Sequence, residues 1–208
     1  MKKMDWKSMG RRVSTAAAAL LMSTTLSAGQ AWAADLDHDG YDDLVVGAPG
    51  EAPGADPSSG AAYLLRGGAG GLTMAQALDQ SGLAANEAGD DFGGAVATGD
   101  FDGDGYADLA VGVPGKDFGS TPDVGLVLVF KNSAQGLVGQ QVLEQTPSTH
   151  DDGDLFGTSL AAGDFNGDGY DDLVVGTPGE SIGLGSPGPR TGVAFYFQGS
   201  PNGLSQVG

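Results

Sequence analysis

One ten-residue pattern occurs three times in this chain: Asp35-Leu-Asp-His-Asp-Gly-Tyr-Asp-Asp-Leu44, Asp100-Phe-Asp-Gly-Asp-Gly-Tyr-Ala-Asp-Leu109 and Asp164-Phe-Asn-Gly-Asp-Gly-Tyr-Asp-Asp-Leu173, with starts 65 and 64 residues apart. A chain that repeats itself at such a period is built from like supersecondary units. Each unit needs its neighbour to bury its faces. Every copy runs into a short apolar strand and a Gly-x-Pro-Gly turn, at Val45–Gly50, Ala110–Gly115 and Val174–Gly179. A Phe-Gly pair precedes the second and third copies, Phe92-Gly93 and Phe156-Gly157. A β-rich run follows each copy (Ala61–Leu65, Leu126–Phe130, Val193–Phe197), and then a Gly-Leu at Gly71-Leu72, Gly136-Leu137 and Gly203-Leu204.

Between these landmarks lie short strands separated by Gly, Pro, Asp and Ser clusters, with no sustained helical period. The full unit from Asp91 to about Gln145 offers strands near Gly94–Thr98, Asp108–Val113, Leu126–Phe130 and Gln140–Glu144. Four antiparallel strands per repeat is the make-up of a propeller blade. The expected fold is therefore all-β, a partial β-propeller of three four-stranded blades over about 34–90, 91–153 and 154–208. Both ends read as ragged: no Phe-Gly strand precedes the first aspartate loop, and the last repeat stops at Leu204–Gly208, short of its fourth strand.

In each loop an acid or amide stands at positions 1, 3, 5 and 9, with Gly at position 6. Alternate side chains of a tightly curled loop converge, the glycine permits the sharp turn, and the carbonyl of residue 7 adds an oxygen. The candidate ligand sets are Asp35, Asp37, Asp39, the Tyr41 carbonyl and Asp43; Asp100, Asp102, Asp104, the Tyr106 carbonyl and Asp108; and Asp164, Asn166, Asp168, the Tyr170 carbonyl and Asp172. Hard oxygens of this kind select Ca2+, at about three sites. Carboxylates this close cost several kcal/mol in repulsion at an effective dielectric near 20 unless a cation lies among them. An EF-hand would need Glu at position 12 and a dockerin-type loop Asp, each with a helix to follow; here position 12 is Val46, Val111 and Val175, inside strands. Asn166 leaves the third loop one charge short, so weaker binding is expected there.

Composition narrows the function. With no cysteine there is neither a disulfide framework nor a thiolate metal site, and 27 acids against nine bases oppose nucleic-acid binding. Residues 1–33 read as a signal peptide: Lys2, Lys3, Lys7, Arg11 and Arg12 precede an apolar stretch from Val13 to about Leu26, and Ala31-Trp32-Ala33 fits a cleavage site. That stretch of about 14 residues falls short of the roughly 20 that span a bilayer. Ser14 and Thr15 after the arginine pair favour general secretion over the twin-arginine route. Cleavage after Ala33 would remove five of the nine bases and one acid, leaving 26 acids against four bases (Arg66, Lys116, Lys131, Arg190). So acidic a domain repels itself and gains from counter-cations. The expected location is outside the cell, as a secreted, surface or periplasmic protein with no membrane span after cleavage.

The Phe-Gly pairs and Gly47-Ala48-Pro49, with the variants Gly112-Val113-Pro114 and Gly176-Thr177-Pro178, resemble the FG-GAP repeats of integrin α subunits and many bacterial exported proteins. The resemblance covers essentially all of residues 34–208. It implies a seven-bladed propeller in complete members, calcium in the hairpin loops of one face, and binding or adhesion through the other. Three repeats fall short of the four to eight blades of known propellers, which suggests a truncated member or a partner chain that completes the ring.

The leading expectation is a calcium-stabilised adhesion or binding module whose partner is a protein or carbohydrate outside the cell. Candidate contact loops are Glu51–Ser59, Lys116–Asp123 and Ser181–Arg190. The alternatives are the non-catalytic propeller part of an extracellular hydrolase or phospholipase-like protein, or a fragment of a longer propeller. Little favours catalysis: His38 stands at a non-ligand, solvent-facing loop position, His150 stands in a polar turn, the metal loops account for most of the paired carboxylates, and there is no Gly-x-Ser-x-Gly elbow.

Overall fold

The computed structural model describes residues 31–52, 56–145, 150–181 and 190–207. Twelve strands form three four-stranded antiparallel sheets, each an uninterrupted meander. The first holds β1 (Ala31–Ala34), β2 (Asp43–Ala48), β3 (Ala61–Arg66) and β4 (Thr73–Leu78). The second holds β5 (Val96–Gly99), β6 (Asp108–Val113), β7 (Leu126–Lys131) and β8 (Val138–Leu143). The third holds β9 (Ser159–Gly163), β10 (Asp172–Thr177), β11 (Val193–Gln198) and β12 (Ser205–Gln206). No sheet closes on itself, and the described residues contain no helix.

The ends are less ragged than the sequence suggests. Ala31–Ala34 pairs with β2, placing Ala31 opposite Val46 and Ala34 opposite Asp43. A first strand thus forms without a Phe-Gly pair, because backbone pairing alone can extend a sheet edge. At the other end Ser205 and Gln206 pair with Gln198 and Phe197 as a short fourth strand. Cleavage after Ala33 would remove three of the four residues of β1. The basic and apolar parts of the expected leader lie outside the described residues.

The middle sheet shows how the blades stack. Side chains alternate across a strand with period two. Leu109, Val111 and Val113 of β6 and Leu126, Leu128 and Phe130 of β7 pack with Val45, Ala62 and Leu64 of the first sheet. Ala110, Val127 and Val129 face the opposite way, against Leu173, Val175 and Phe197 of the third sheet. All six residues of β6 are buried as a result. In the third sheet β11 keeps only Phe197 buried, since no blade covers its outer face.

The Phe-Gly and Gly-x-Pro motifs form the joint between blades. Phe92 is fully buried and bridges Gly60 of the preceding blade; Phe156 does the same with Gly125. The next residue lies on the glycine that opens the preceding blade's Gly-x-Pro. A Cβ added to Gly47 would fall 2.0 Å from the Gly93 carbonyl oxygen, and one added to Gly112 would fall 2.1 Å from that of Gly157. These are backbone-to-backbone approaches that only glycine allows.

Candidate metal centre

The three aspartate loops are hairpins joining the first and second strands of each sheet, all at the same end. Their internal hydrogen bonding repeats. The carboxylate at position 1 accepts from the backbone N–H groups of positions 5 and 6: Asp35 from Asp39 (3.1 Å) and Gly40 (3.0 Å), Asp100 from Asp104 (3.1 Å) and Gly105 (2.9 Å), Asp164 from Asp168 (3.1 Å) and Gly169 (3.0 Å). The carboxylate at position 5 accepts from the N–H of the tyrosine at position 7, at 2.9 Å, 2.9 Å and 3.0 Å. Gly40, Gly105 and Gly169 have φ of +87°, +93° and +92°, and open space where a Cβ would stand. Position 6 is glycine for its backbone angle, not for room.

Asp35, Asp37 and Asp39 each bring an oxygen within 4.8 Å of the others, and so do Asp100, Asp102 and Asp104. Asp164, Asn166 and Asp168 repeat the arrangement, with the Asn166 carbonyl oxygen accepting from the Asp168 N–H at 2.8 Å. Oxygens grouped in this way fit a hard divalent ion such as Ca2+.

Position 9 is different. Asp43, Asp108 and Asp172 are buried, and backbone N–H groups hold them: Leu36 and Gly67 for Asp43, Asn132 for Asp108, Phe165 and Gly199 for Asp172. The ninth residue therefore closes the loop against the following hairpin and stands outside the cluster formed by positions 1, 3 and 5. Burial, reinforced by Asp102 and Asp104, pushes the Asp108 carboxyl up to about 7 against the Asn132 N–H and Lys131. Between pH about 4 and 7 the native state thus binds a proton that the unfolded chain has released, so stability falls as pH rises. In chelator, urea unfolding at pH 5 and pH 8 should show this loss, and Asp108→Asn should flatten it. An equal slope in the variant would contradict the assignment.

Sequence reasoning missed the last residue of each third strand. Arg66 at the end of β3 reaches Asp43 (2.6 Å) and Asp37 (3.3 Å); Lys131 at the end of β7 pairs with Asp102 and with Asp104 (2.9 Å); Gln198 at the end of β11 donates to Asp168 (2.9 Å). The Lys131 hydrogen bond lowers Asp104, and the Gln198 hydrogen bond lowers Asp168. Loops one and two set four carboxylates against one base. Loop three sets three carboxylates, with Asn166, against neutral Gln198. Counted over positions 1, 3, 5 and 9 with the facing base, each loop sums to −3, and Asp42 and Asp171 at position 8 add a further acid to the first and third loops. Gln198 thus stands where the first two loops have a base, so the loop with the amide ligand also lacks a facing cation.

The tyrosine rings at position 7 also act between blades. Tyr106 stacks on His38 of the preceding loop, with centroids 4.7 Å apart and planes 7° from parallel. A Cβ on Gly103 would meet the Tyr170 ring at 2.5 Å. His38 is solvent-exposed, as expected, and one face of its ring packs against the next loop. His150 lies against Phe118, with centroids 4.0 Å apart. Of the candidate contact loops, residues 53–55 and 182–189 lie outside the described residues. Lys116 is drawn into ion pairs with Glu87 and Asp90.

Three consecutive meanders, packed face to face through glycine joints and each carrying an acidic hairpin, define a β-propeller module. The FG-GAP repeat profile matches residues 31–65, 92–130 and 156–194, and the chain belongs to the FG-GAP repeat family. It is similar to phosphatidylinositol-glycan-specific phospholipase D of Bos taurus, 38% identical over 80% of this chain and 20% of that protein. It is also similar to integrin alpha pat-2 of Caenorhabditis briggsae, 30% identical over 83% of this chain and 14% of that protein, and to integrin alpha-5 of Xenopus laevis, 33% identical over 71% and 14%. The chain spans a fifth or less of the length of each of these relatives.

Proposed function

We propose that this chain is an exported, calcium-stabilised propeller module that binds a protein or carbohydrate partner outside the cell and has no catalytic role of its own. The observation that carries the calcium reading is the convergence of Asp35, Asp37 and Asp39, and of Asp100, Asp102 and Asp104, within 4.8 Å. The ligands in this reading are the oxygens at positions 1, 3 and 5 and the carbonyls of Tyr41, Tyr106 and Tyr170, with Asp43, Asp108 and Asp172 closing each loop. The basic start of the chain and its acidic remainder support export. The relatives support a binding role: the match to a phospholipase D covers a fifth of that protein, and the others are named integrins. Further blades, from this or another chain, would cover the outer face of the third sheet.

Calorimetric titration with Ca2+ tests the loop reading. Asp104→Ala should weaken one site at least tenfold and leave the other loops unchanged, because each loop closes on itself through its own hydrogen bonds. Loss of all uptake from this one change would mean that the loops do not act separately, and no uptake by the unaltered protein would end the calcium reading.

A further inference from the structure

At the other end of the strands from the aspartate hairpins, the second and third blades share a polar frame. In the second blade Asp90 is buried, Gln80 donates to its carboxylate, the Glu87 N–H donates to the same oxygen at 2.7 Å, and the Gly115 N–H donates to its backbone carbonyl at 3.1 Å. In the third blade Gln145 donates to the Asp154 carboxylate, the Asp151 N–H donates at 2.8 Å, and the Gly179 N–H reaches the Asp154 carbonyl at 3.0 Å. These residues correspond one to one at the repeat spacing of 64 or 65.

One pair in this frame is opposite in charge. Lys116 places its ammonium on the Glu87 and Asp90 carboxylates and on the Ala85 carbonyl (2.9 Å). Its counterpart 64 residues on is Glu180, which the same backbone bond seats: Gly125 N–H to the Lys116 carbonyl at 2.9 Å, Gly192 N–H to the Glu180 carbonyl at 3.0 Å. Where the second blade has an ammonium among two carboxylates, the third has three carboxylates, Asp151, Asp154 and Glu180, with one oxygen of each within 4.8 Å of the others.

Asp154 is fully buried and Glu180 is 6% exposed, yet Asp154 Oδ1 and Glu180 Oε2 have no hydrogen-bond partner. The second blade shows no such orphan on Asp90; the unpartnered amide oxygens of Gln80 and Gln145 are common to both blades. Among the described residues no Lys, Arg or His nitrogen lies within 4.0 Å of the three carboxylates. Arg190, the nearby base, is spent on the Asp152 and Gly153 carbonyls, both at 2.9 Å. The donors reach only the other oxygen of each group, Gln145 and the Asp151 N–H for Asp154 and the Ser181 N–H (3.1 Å) for Glu180, and buried carboxylates without a counter-charge are strongly disfavoured.

We propose that Asp151, Asp154 and Glu180 form a divalent-cation site at the junction of the second and third blades, in which a metal ion replaces the Lys116 ammonium of the preceding repeat. The spacing suits calcium: two oxygens held by one ion at about 2.4 Å are at most about 4.8 Å apart. The charge suits it as well. Two carboxylates and an ammonium sum to −1, as do three carboxylates and a divalent ion. The site stands independently of the aspartate loops.

Calcium titration of the full chain, followed by calorimetry and native mass spectrometry, tests this. Glu180→Lys rebuilds the second-blade arrangement. It should bind one calcium fewer than the unaltered protein and should unfold at a higher temperature than it in chelator. Lys116→Glu should gain one calcium. Asp151→Asn, at a partly exposed position and a milder change, should weaken one site at least tenfold and serves if Glu180→Lys fails to fold. Unchanged stoichiometry in Glu180→Lys, or unchanged affinities in Asp151→Asn, would overturn the proposal, as would a shared proton revealed by Glu180→Gln matching the unaltered protein in calcium uptake. Asp104→Ala removing a site while Glu180→Lys removes none would leave the loop reading standing and this one refuted.

Discussion

Gly112→Ala should destabilise the protein by about 3 kcal/mol or more, the upper range of overpacking costs. The added methyl would sit 2.1 Å from the Gly157 carbonyl oxygen and 3.1 Å from its carbon. No rotamer change relieves a clash between two backbones, and Gly157 cannot retreat freely. Its φ is +91° and its N–H is bonded to the Gly176 carbonyl at 3.2 Å. The second and third blades would have to separate along the face that buries Val127, Val129, Leu173 and Val175. Gly176→Ala is the internal control. Its methyl would meet only the hydroxyl of Ser159, at 2.2 Å, on an exposed side chain that can turn away. Its cost should stay below about 1 kcal/mol, because one hydroxyl rotamer absorbs it. Urea unfolding of both variants in excess calcium makes the comparison; equal losses would show that the joint does not depend on this approach.

Chelation should lower the melting temperature by more than 10 °C. Each loop site held at a hundredfold excess over its Kd contributes about 2.7 kcal/mol. Three loops then supply about 8 kcal/mol, and a domain of this size shifts by about 2–4 °C per kcal/mol. Emptied loops also leave their carboxylates to repel one another, a repulsion that salt screens. High salt should therefore restore part of the lost stability in chelator and add little in calcium. Lys131 and Arg66 already neutralise part of their loops, so the shift should grow when Lys131→Gln removes one such charge. A melting temperature indifferent to chelator would remove metal from the account of this fold.

Much of the architecture was readable from residue order. The period of 64–65, the Phe-Gly pairs and the short apolar runs at Leu109–Val113 and Leu126–Phe130 pointed to four-stranded blades, and the middle sheet lies within two residues of that expectation at each strand. The ends were harder to read. Ala31-Trp32-Ala33 matches a protease site and a strand equally well, and a two-residue strand such as Ser205–Gln206 carries no periodicity. The loops were found through their Asp spacing, but the buried, hydrogen-bonded setting of Asp43, Asp108 and Asp172 was not. The same letter at position 9 gives no sign of which side of the loop its side chain faces.

The order of residues alone determined the repeat, the blade composition and the three acidic hairpins, because these depend on local spacing and on the angles that glycine permits. Only the tertiary structure decided what meets across the repeats: Arg66, Lys131 and Gln198 on the aspartate loops, Tyr106 on His38, and Lys116 or Glu180 at the blade junctions. Those contacts join residues some 25 to 70 positions apart. Electrostatic and packing energies depend on distance in space, and distance in space is set only once the sheets have stacked.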